Sequence, residues 1–297
     1  MRRSPLIISL IAALLYFSCT EEVCNCSDPG NLQYMVNFRG EVPFTKAPVP
    51  FKQGVVVSIF GYLHKENPLQ KQSWPGTPFV AVSGSYGQFS PVAQEKLIVP
   101  GGVYDFYAIS ANSPDNESPV FSKGVSAPLC NGKDYLYAKH TGVIVDDDLL
   151  VPLVFNHLCA TVELKITSDP PSMIHEISVV SLTPPQEGGS LVLSTGKITP
   201  ATRSLDVFLP MEYVKGRAKM IILPTTDQPE IKIRIVTGEG GNCISNYKEG
   251  VIPTPNGGYS SGKRYIYMVL LTYDNIRFTG SSIEDWKHEP INNIELK

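Results

Sequence analysis

The chain has 297 residues, 42% apolar and 18% charged, with 24 Gly, 25 Pro and a net charge of −3. So much apolar sequence can build a core in one large domain or two ordinary ones. The prolines argue against a mainly helical protein and favour short strands joined by turns. With no Lys/Arg-rich tract, there is no electrostatic footprint for nucleic acid and no polybasic membrane patch.

The chain opens with Arg2 and Arg3, followed by the apolar run Leu6 to Phe17. That run is too short to span a bilayer as a helix. A basic start, a short apolar stretch and a small residue before a cysteine describe an export signal. Residues 1–18 read as the signal peptide of a bacterial lipoprotein, cut between Ser18 and Cys19, with Cys19 acylated. The lipobox is relaxed, with Tyr16 where Leu is usual. Acyl chains add roughly 0.8 kcal/mol per buried CH₂, so two or three anchor a protein without crossing the membrane. Loss of Arg2 and Arg3 takes the net charge from −3 to −5. Glu21 and Glu22 then resemble the signal that sends Bacteroidetes lipoproteins to the outer face of the cell. Residues 19–30 read as the lipidated tether.

Cys24 and Cys26 form a lone C-x-C without a second Cys/His pair, which is a poor zinc site. Cys130, Cys159 and Cys243 are distant in sequence. An exported location permits disulfides, but five remaining cysteines cannot all pair. Cys159 reads as a small buried hydrophobe.

Strands are expected at 32–38, 54–62, 78–84, 96–100 and 101–110, separated by Pro/Gly/Asn-rich pieces. After the loop "ANSPDNESP" comes "GKDYLYAKHTG" and then the acidic Asp146–Asp148, read as a solvated linker. From Leu158 to Ile166 apolar residues alternate with polar ones, predicting a strand whose Thr161, Glu163 and Lys165 face solvent. Further strands follow at 175–182, 189–194, 204–209, 218–224, 230–238 and 264–280. The pattern predicts an all-β chain with two β-sandwiches, at 31–148 and 149–297.

Catalytic patterns are sparse. Gly258 to Gly262 matches G-x-S-x-G around Ser260, with Asp274 or Asp285 and then His288 in order. However, turn chemistry precedes it and a strand follows, where a hydrolase needs a strand and then a helix. His64, His140, His157, His175 and His288 never take a metal-binding spacing, and no phosphate loop or dinucleotide fingerprint occurs. No cofactor, metal or catalytic residue is expected. Trp74 and Trp286 could stack on sugars or pack internally.

Four stretches in order resemble the fimbrillin (Mfa-like) lipoproteins of Bacteroidales. "GGVYDFYAIS" resembles that family's Y-x-F-Y-A strand, and "GKDYLYA" its D-x-L-Y-A element. "VFNHLCATV" resembles F-x-H-x-x-A-x-V, with Phe155, His157, Ala160 and Val162 in place and Cys159 a departure. The stretch from Ser261 to Trp286 resembles its closing strands and I-x-x-W. The resemblance implies two tandem transthyretin-like β-sandwiches in a fimbrial subunit or adhesin on the outer membrane. Its partners would be other fimbrial subunits by donor-strand exchange, and host or bacterial surface ligands. Removal of the first strand, Leu32–Phe38, by cleavage after Arg39 would open the acceptor groove, and the tail 291–297 is a second candidate for the donated strand. The competing reading is a glycan-binding lipoprotein of a polysaccharide-uptake system. It would need an exposed aromatic platform, to which Trp74 and Tyr62 are the natural contributors.

Overall fold

Alternation at period two puts every second side chain on one side of a strand, and strands so patterned must stack their apolar faces against another layer. The computed structural model describes residues 32–43, 49–93, 95–115, 117–201, 206–227, 230–238 and 246–286. Among these, 23 strands form five sheets, and the only helical segments are short 3₁₀ turns at Ser85–Gly87 and Pro171–Glu176.

The first core lies between two sheets. One contains β1 (Gln33–Val42), β2 (Val49–Pro50), β6 (Leu97–Pro100) and β11 (Leu149–Val154). The other runs β12-β10-β7-β3-β4-β5, comprising β3 (Val56–Leu63), β4 (Phe79–Ser83), β5 (Phe89–Pro91), β7 (Gly102–Ser110), β10 (Leu136–Val145) and β12 (Asn156–His157). Val36, Phe38, Val57, Ile59, Phe106, Val151 and Leu153 fill the space between them. The second core is enclosed in the same way. Its first sheet runs β18-β19-β13-β22-β23, comprising β13 (Ala160–Asp169), β18 (Glu212–Val214), β19 (Arg217–Ile222), β22 (Lys263–Thr272) and β23 (Ile276–Asp285). Its second runs β17-β14-β20-β21, comprising β14 (Ile177–Leu182), β17 (Leu209–Pro210), β20 (Ile231–Thr237) and β21 (Asn246–Ile252). Val162, Leu164, Val180, Leu182, Ile233 and Val269 are buried there.

A third cluster joins the two. The central strands of the six-stranded sheet are apolar on both faces. Ile59 and Phe106 point into the first core, while Phe60, Tyr62, Tyr107, Tyr135 and Tyr137 point the other way. The fifth sheet contributes to covering that second face. It pairs β8 (Phe121–Ser122) and β9 (Val125–Ser126) with β15 (Ser190–Val192) and β16 (Lys197–Thr199). Val125 pairs with Val192, so this sheet draws strands from both halves of the sequence.

Three expectations change, besides the strand expected at 204–209, whose described residues 206–208 lie outside any strand. The acidic Asp146–Asp148 is not a linker between halves. It is the short turn from β10 to β11, and β11 runs parallel to β1 inside the first core. Asp148 also accepts a hydrogen bond from the Met35 N–H at 2.7 Å, tying the turn to β1. Second, Thr161 and Glu163 do not face solvent, being 0% and 5% exposed. The reason is long-range: β22 lies parallel beside β13 and brings Arg264 Nε within 2.9 Å of the Glu163 carboxylate. Third, β1 does not end at Phe38 but continues to Val42, because β11 continues to pair with it through Glu41.

One buried carboxylate links β7 and β10 to the turn that follows β3. Asp105 of β7 accepts from the Gly142 N–H at 2.7 Å and the Lys65 N–H at 3.2 Å, and bonds His64 Nδ1 at 2.8 Å. Burial opposes its ionisation, but these bonds together outweigh burial and hold its pKa below the usual value. A depressed carboxyl contributes stability that is complete above about pH 4, the unfolded value, and lost as pH falls through the lower folded value. Asp105→Asn is therefore expected to cost about 1.5–3 kcal/mol at neutral pH. In urea titrations from pH 7 to pH 2 the variant should also lose less stability on acidification than the parent protein.

Candidate functional site

The most unusual feature of the first core is the position of β1. It is the earliest strand described, yet it lies inside its sheet. On one side it runs parallel to β11 from Val36 to Glu41. On the other it pairs antiparallel with β6 from Gln33 to Val36 and with β2 at Glu41 and Val42, with a bridge from Arg39 to Gln88 between them. Its inward row is Val36, Phe38, Gly40 and Val42, all buried. The Phe38 ring sits 5.2 Å from that of Phe106, edge to face, and 5.9 Å from that of Phe79. At Gly40 the row closes. A Cβ there would come within 2.5 Å of the Phe89 ring and 2.8 Å of the Phe51 Cβ. The slot thus accepts a branched side chain, an aromatic, no side chain and a branched one, in that order. Burying Val36, Phe38 and Val42 stabilises the strand by about 1.5–3 kcal/mol each. Removing β1 would leave unpaired main-chain groups on β11 and β6, a template for a replacement strand.

Arg39 lies on the outer face of this strand. Its side chain is exposed and its guanidinium bonds Glu41 at 2.6 Å. Its backbone is in the ladder on both sides, so a protease that binds extended substrate reaches the Arg39–Gly40 bond only when β1 leaves the sheet.

A second constellation forms where the two cores meet. His157 Nδ1 bonds Asp134 Oδ1 at 2.8 Å, and Asn112 donates to the other carboxylate oxygen at 2.7 Å. The His157 ring stacks on Trp286, with centroids 4.1 Å apart and planes 11° from parallel. Lys219 Nζ stands 6.0 Å from the centre of the same indole. Three of the sequence stretches singled out above therefore converge, Asp134 from one, His157 from another and Trp286 from the last. Nearby, the Tyr137 hydroxyl donates to the Leu193 carbonyl at 2.6 Å, and burial pushes its pKa up. Gly196, at φ +68°, lies flat against the Tyr137 ring, where a Cβ would come within 2.4 Å. A cavity of about 820 Å³ opens here, lined by Tyr137, Phe155, Asn156, Lys197, Asp285 and Trp286 among others. With one ring face on Trp286 and Nδ1 on Asp134, His157 clamps the two halves together. Spacing alone did not signal this, since 129 residues separate His157 from Trp286.

The remaining candidates are placed as follows. Ser260 is exposed on a turn that leads into β22, a strand, and its N–H donates to the Tyr265 hydroxyl at 2.7 Å. A nucleophile elbow has a helix there. Tyr62 and Trp74 form no exposed platform. Tyr62 is 3% exposed and packs on Tyr107 at 5.8 Å, while Trp74 is half-buried with its ring edge-on to Tyr104 at 5.6 Å. Cys159 is buried, and burial pushes its thiol up to about 12. Cys130 is exposed, and its thiol too is raised, by desolvation and by Glu187. Among the described residues no three His, Cys, Asp or Glu side chains gather as a metal site. Cys19, Glu21 and Glu22 lie outside the described residues, as do Cys24, Cys26, Cys243, His288 and the tail 291–297.

A model of the fimbrillin-like family matches residues 45–286. The chain belongs to the fimbrillin-like family. Solved structures with the same fold include candidate cell adhesion proteins from three Bacteroides species. That from B. uniformis has a TM-score of 0.65 at 16% identity, over 86% of this chain and 99% of its own. That from B. ovatus has a TM-score of 0.63 at 15% identity, over 87% and 100%. That from B. fragilis has a TM-score of 0.56 at 13% identity, over 87% and 99%. No curated protein sequence matches the chain. In this fimbrillin-like chain β1 precedes the matched range, while the Asp134–His157–Trp286 clamp lies within it.

The slot makes a direct prediction. Gly40→Val should overpack against Phe51 and Phe89 and cost about 1–3 kcal/mol. Arg39→Gln, altering only an exposed ion pair, should change stability by less than about 1 kcal/mol. Urea unfolding of both variants beside the parent checks the contrast.

Proposed function

We propose that this chain is a cell-surface fimbrial subunit or adhesin, without catalysis, that assembles by strand exchange at the β1 slot. The observation that carries the reading is the slot itself. An amino-proximal strand sits between two neighbours, holding a row of large apolar side chains that ends at an obligatory glycine position. Loss of such a strand leaves a groove that another subunit can fill with main-chain hydrogen bonds and alternate side chains. On this reading residues 1–18 are removed, Cys19 is acylated, and Glu21 and Glu22 direct the protein to the outer face of the outer membrane. Cleavage after Arg39 then follows transient release of β1, because that bond is otherwise held in the ladder. Family membership supports the fimbrial class. The packing of Tyr62 and Trp74 weighs against the glycan-binding alternative, whose aromatic platform they would have supplied.

The test uses the chain from Thr20 onward, which retains every described residue. It is treated with a trace of trypsin and run unheated on a denaturing gel. The expected outcome is a ladder of multimers whose new amino terminus is Gly40. The ladder should be absent in Arg39→Gln and suppressed by excess peptide spanning 32–39. An intact or clipped species that stays monomeric would overturn strand exchange at this slot.

A further inference from the structure

A second interaction surface lies on β23, the last strand of its sheet. Ten residues long and free of proline, it pairs among the described residues only with β22. Every residue from Thr279 to Asp285 is exposed, including Ile283 at 56%. A long strand edge in this state presents unpaired N–H and C=O groups to any matching strand.

The side chains of β23 say which strand matches. Its register on β22 skips Thr279, since Phe278 faces Val269 while Gly280 faces Met268. A bulge of one residue shifts the alternation of faces. Phe278 and Ile283, five residues apart, therefore both lie on the core side, opposite the buried Val269 and Tyr265. Arg277 and Glu284, seven apart, both lie on the outer side, opposite Leu270 and Arg264. In an unbroken strand such odd separations would put each pair on opposite faces. The bulge makes the strand complementary to itself when reversed.

We propose that the edge of β23 left uncovered among the described residues pairs antiparallel with β23 of a second copy of this chain, about a two-fold axis through Ser281. Ser281 faces its equivalent and Gly280 faces Ser282 of the second copy. With Thr279 bulged out of each strand, Phe278 faces Ile283 of the second copy and Arg277 faces Glu284 of the second copy. Symmetry repeats both pairs. The interface thus carries two apolar contacts, two opposite-charge pairs and, beside the axis, a glycine that leaves room for close approach. The two five-stranded sheets become one sheet of ten. This inference is independent of strand exchange, uses a different edge and needs no proteolysis.

Sedimentation velocity over a concentration series, on the chain from Thr20 onward and without protease, is the test. A reversible dimer is expected. Arg277→Glu or Glu284→Arg alone sets like charges opposite each other twice and should weaken dimerisation by about tenfold or more. The double variant with both reversals exchanges the charges and should restore the parent affinity. In a background with Cys24, Cys26, Cys130 and Cys243 changed to Ser, Ser281→Cys places two thiols at the axis, so mild oxidation should give a covalent dimer that the background chain and Tyr273→Cys, at the hairpin tip, do not form. Tyr273, Arg277, Ser281 and Glu284 are exposed, and circular dichroism checks that each variant is folded. A monomer at every concentration would overturn the proposal, as would a dimer indifferent to the single reversals or not restored by the double one. The edge dimer should fall apart in denaturing detergent without heating, unlike a strand-exchanged multimer.

Discussion

The structure depends on covering a sheet that is apolar on both faces. Strands β3, β7 and β10 send Ile59, Phe106 and Ala138 to one side and Phe60, Tyr107 and Tyr137 to the other. A layer must seal each side, since an uncovered face would leave several large side chains in water at about 1.5–3 kcal/mol each. The sheet containing β1 seals the first. No complete layer from the first half is available for the second, so β8 and β9 combine with β15 and β16, and Leu158, Cys159 and Leu223 complete the packing. The two halves of the chain are held together by this shared cover more than by a linker.

That arrangement explains why the clamp of Asp134, His157 and Trp286 occurs where it does. The chain leaves the first core through β12 and enters the second through β13, and His157 stands at that crossing. Trp286, just after the last described strand, comes back to the same point and stacks on it. A ring stack and a charge-assisted hydrogen bond fix an angle more sharply than aliphatic contact does, because both depend on orientation.

The two proposed interaction surfaces follow from a common constraint. Every open sheet has edges, and an edge either stays covered or meets another chain. In the first core the vulnerable element is β1, an amino-proximal strand whose departure would create two new edges. In the second it is β23, whose outer side is an edge already among the described residues. One surface needs a strand to leave, whereas the other needs only a second molecule.

Much of this was legible in the residues. Apolar, β-branched runs placed β3, β7 and β20, period-two alternation placed β13, and Gly/Pro-rich pieces marked the breaks between them. Local pattern also gave the inward row of β13 from Ala160 to Ile166. What it could not give was the opposite face of that strand. Thr161 and Glu163 look solvent-facing by type, and are buried because β22 brings Arg264 alongside from 101 residues away. Tyr62, the natural platform residue of the glycan-binding reading, is likewise covered from elsewhere in the chain. The parallel pairing of β1 with β11, the glycine slot at position 40 and the meeting of His157 with Trp286 likewise join residues more than a hundred apart or settle a side chain by its neighbours' bulk. Strand identity is largely a property of the local backbone, so the sequence by itself determined most strands, though not β21. Which faces are covered, which edges stay open and which residues meet depend on contacts between distant segments, and only the tertiary structure decided them.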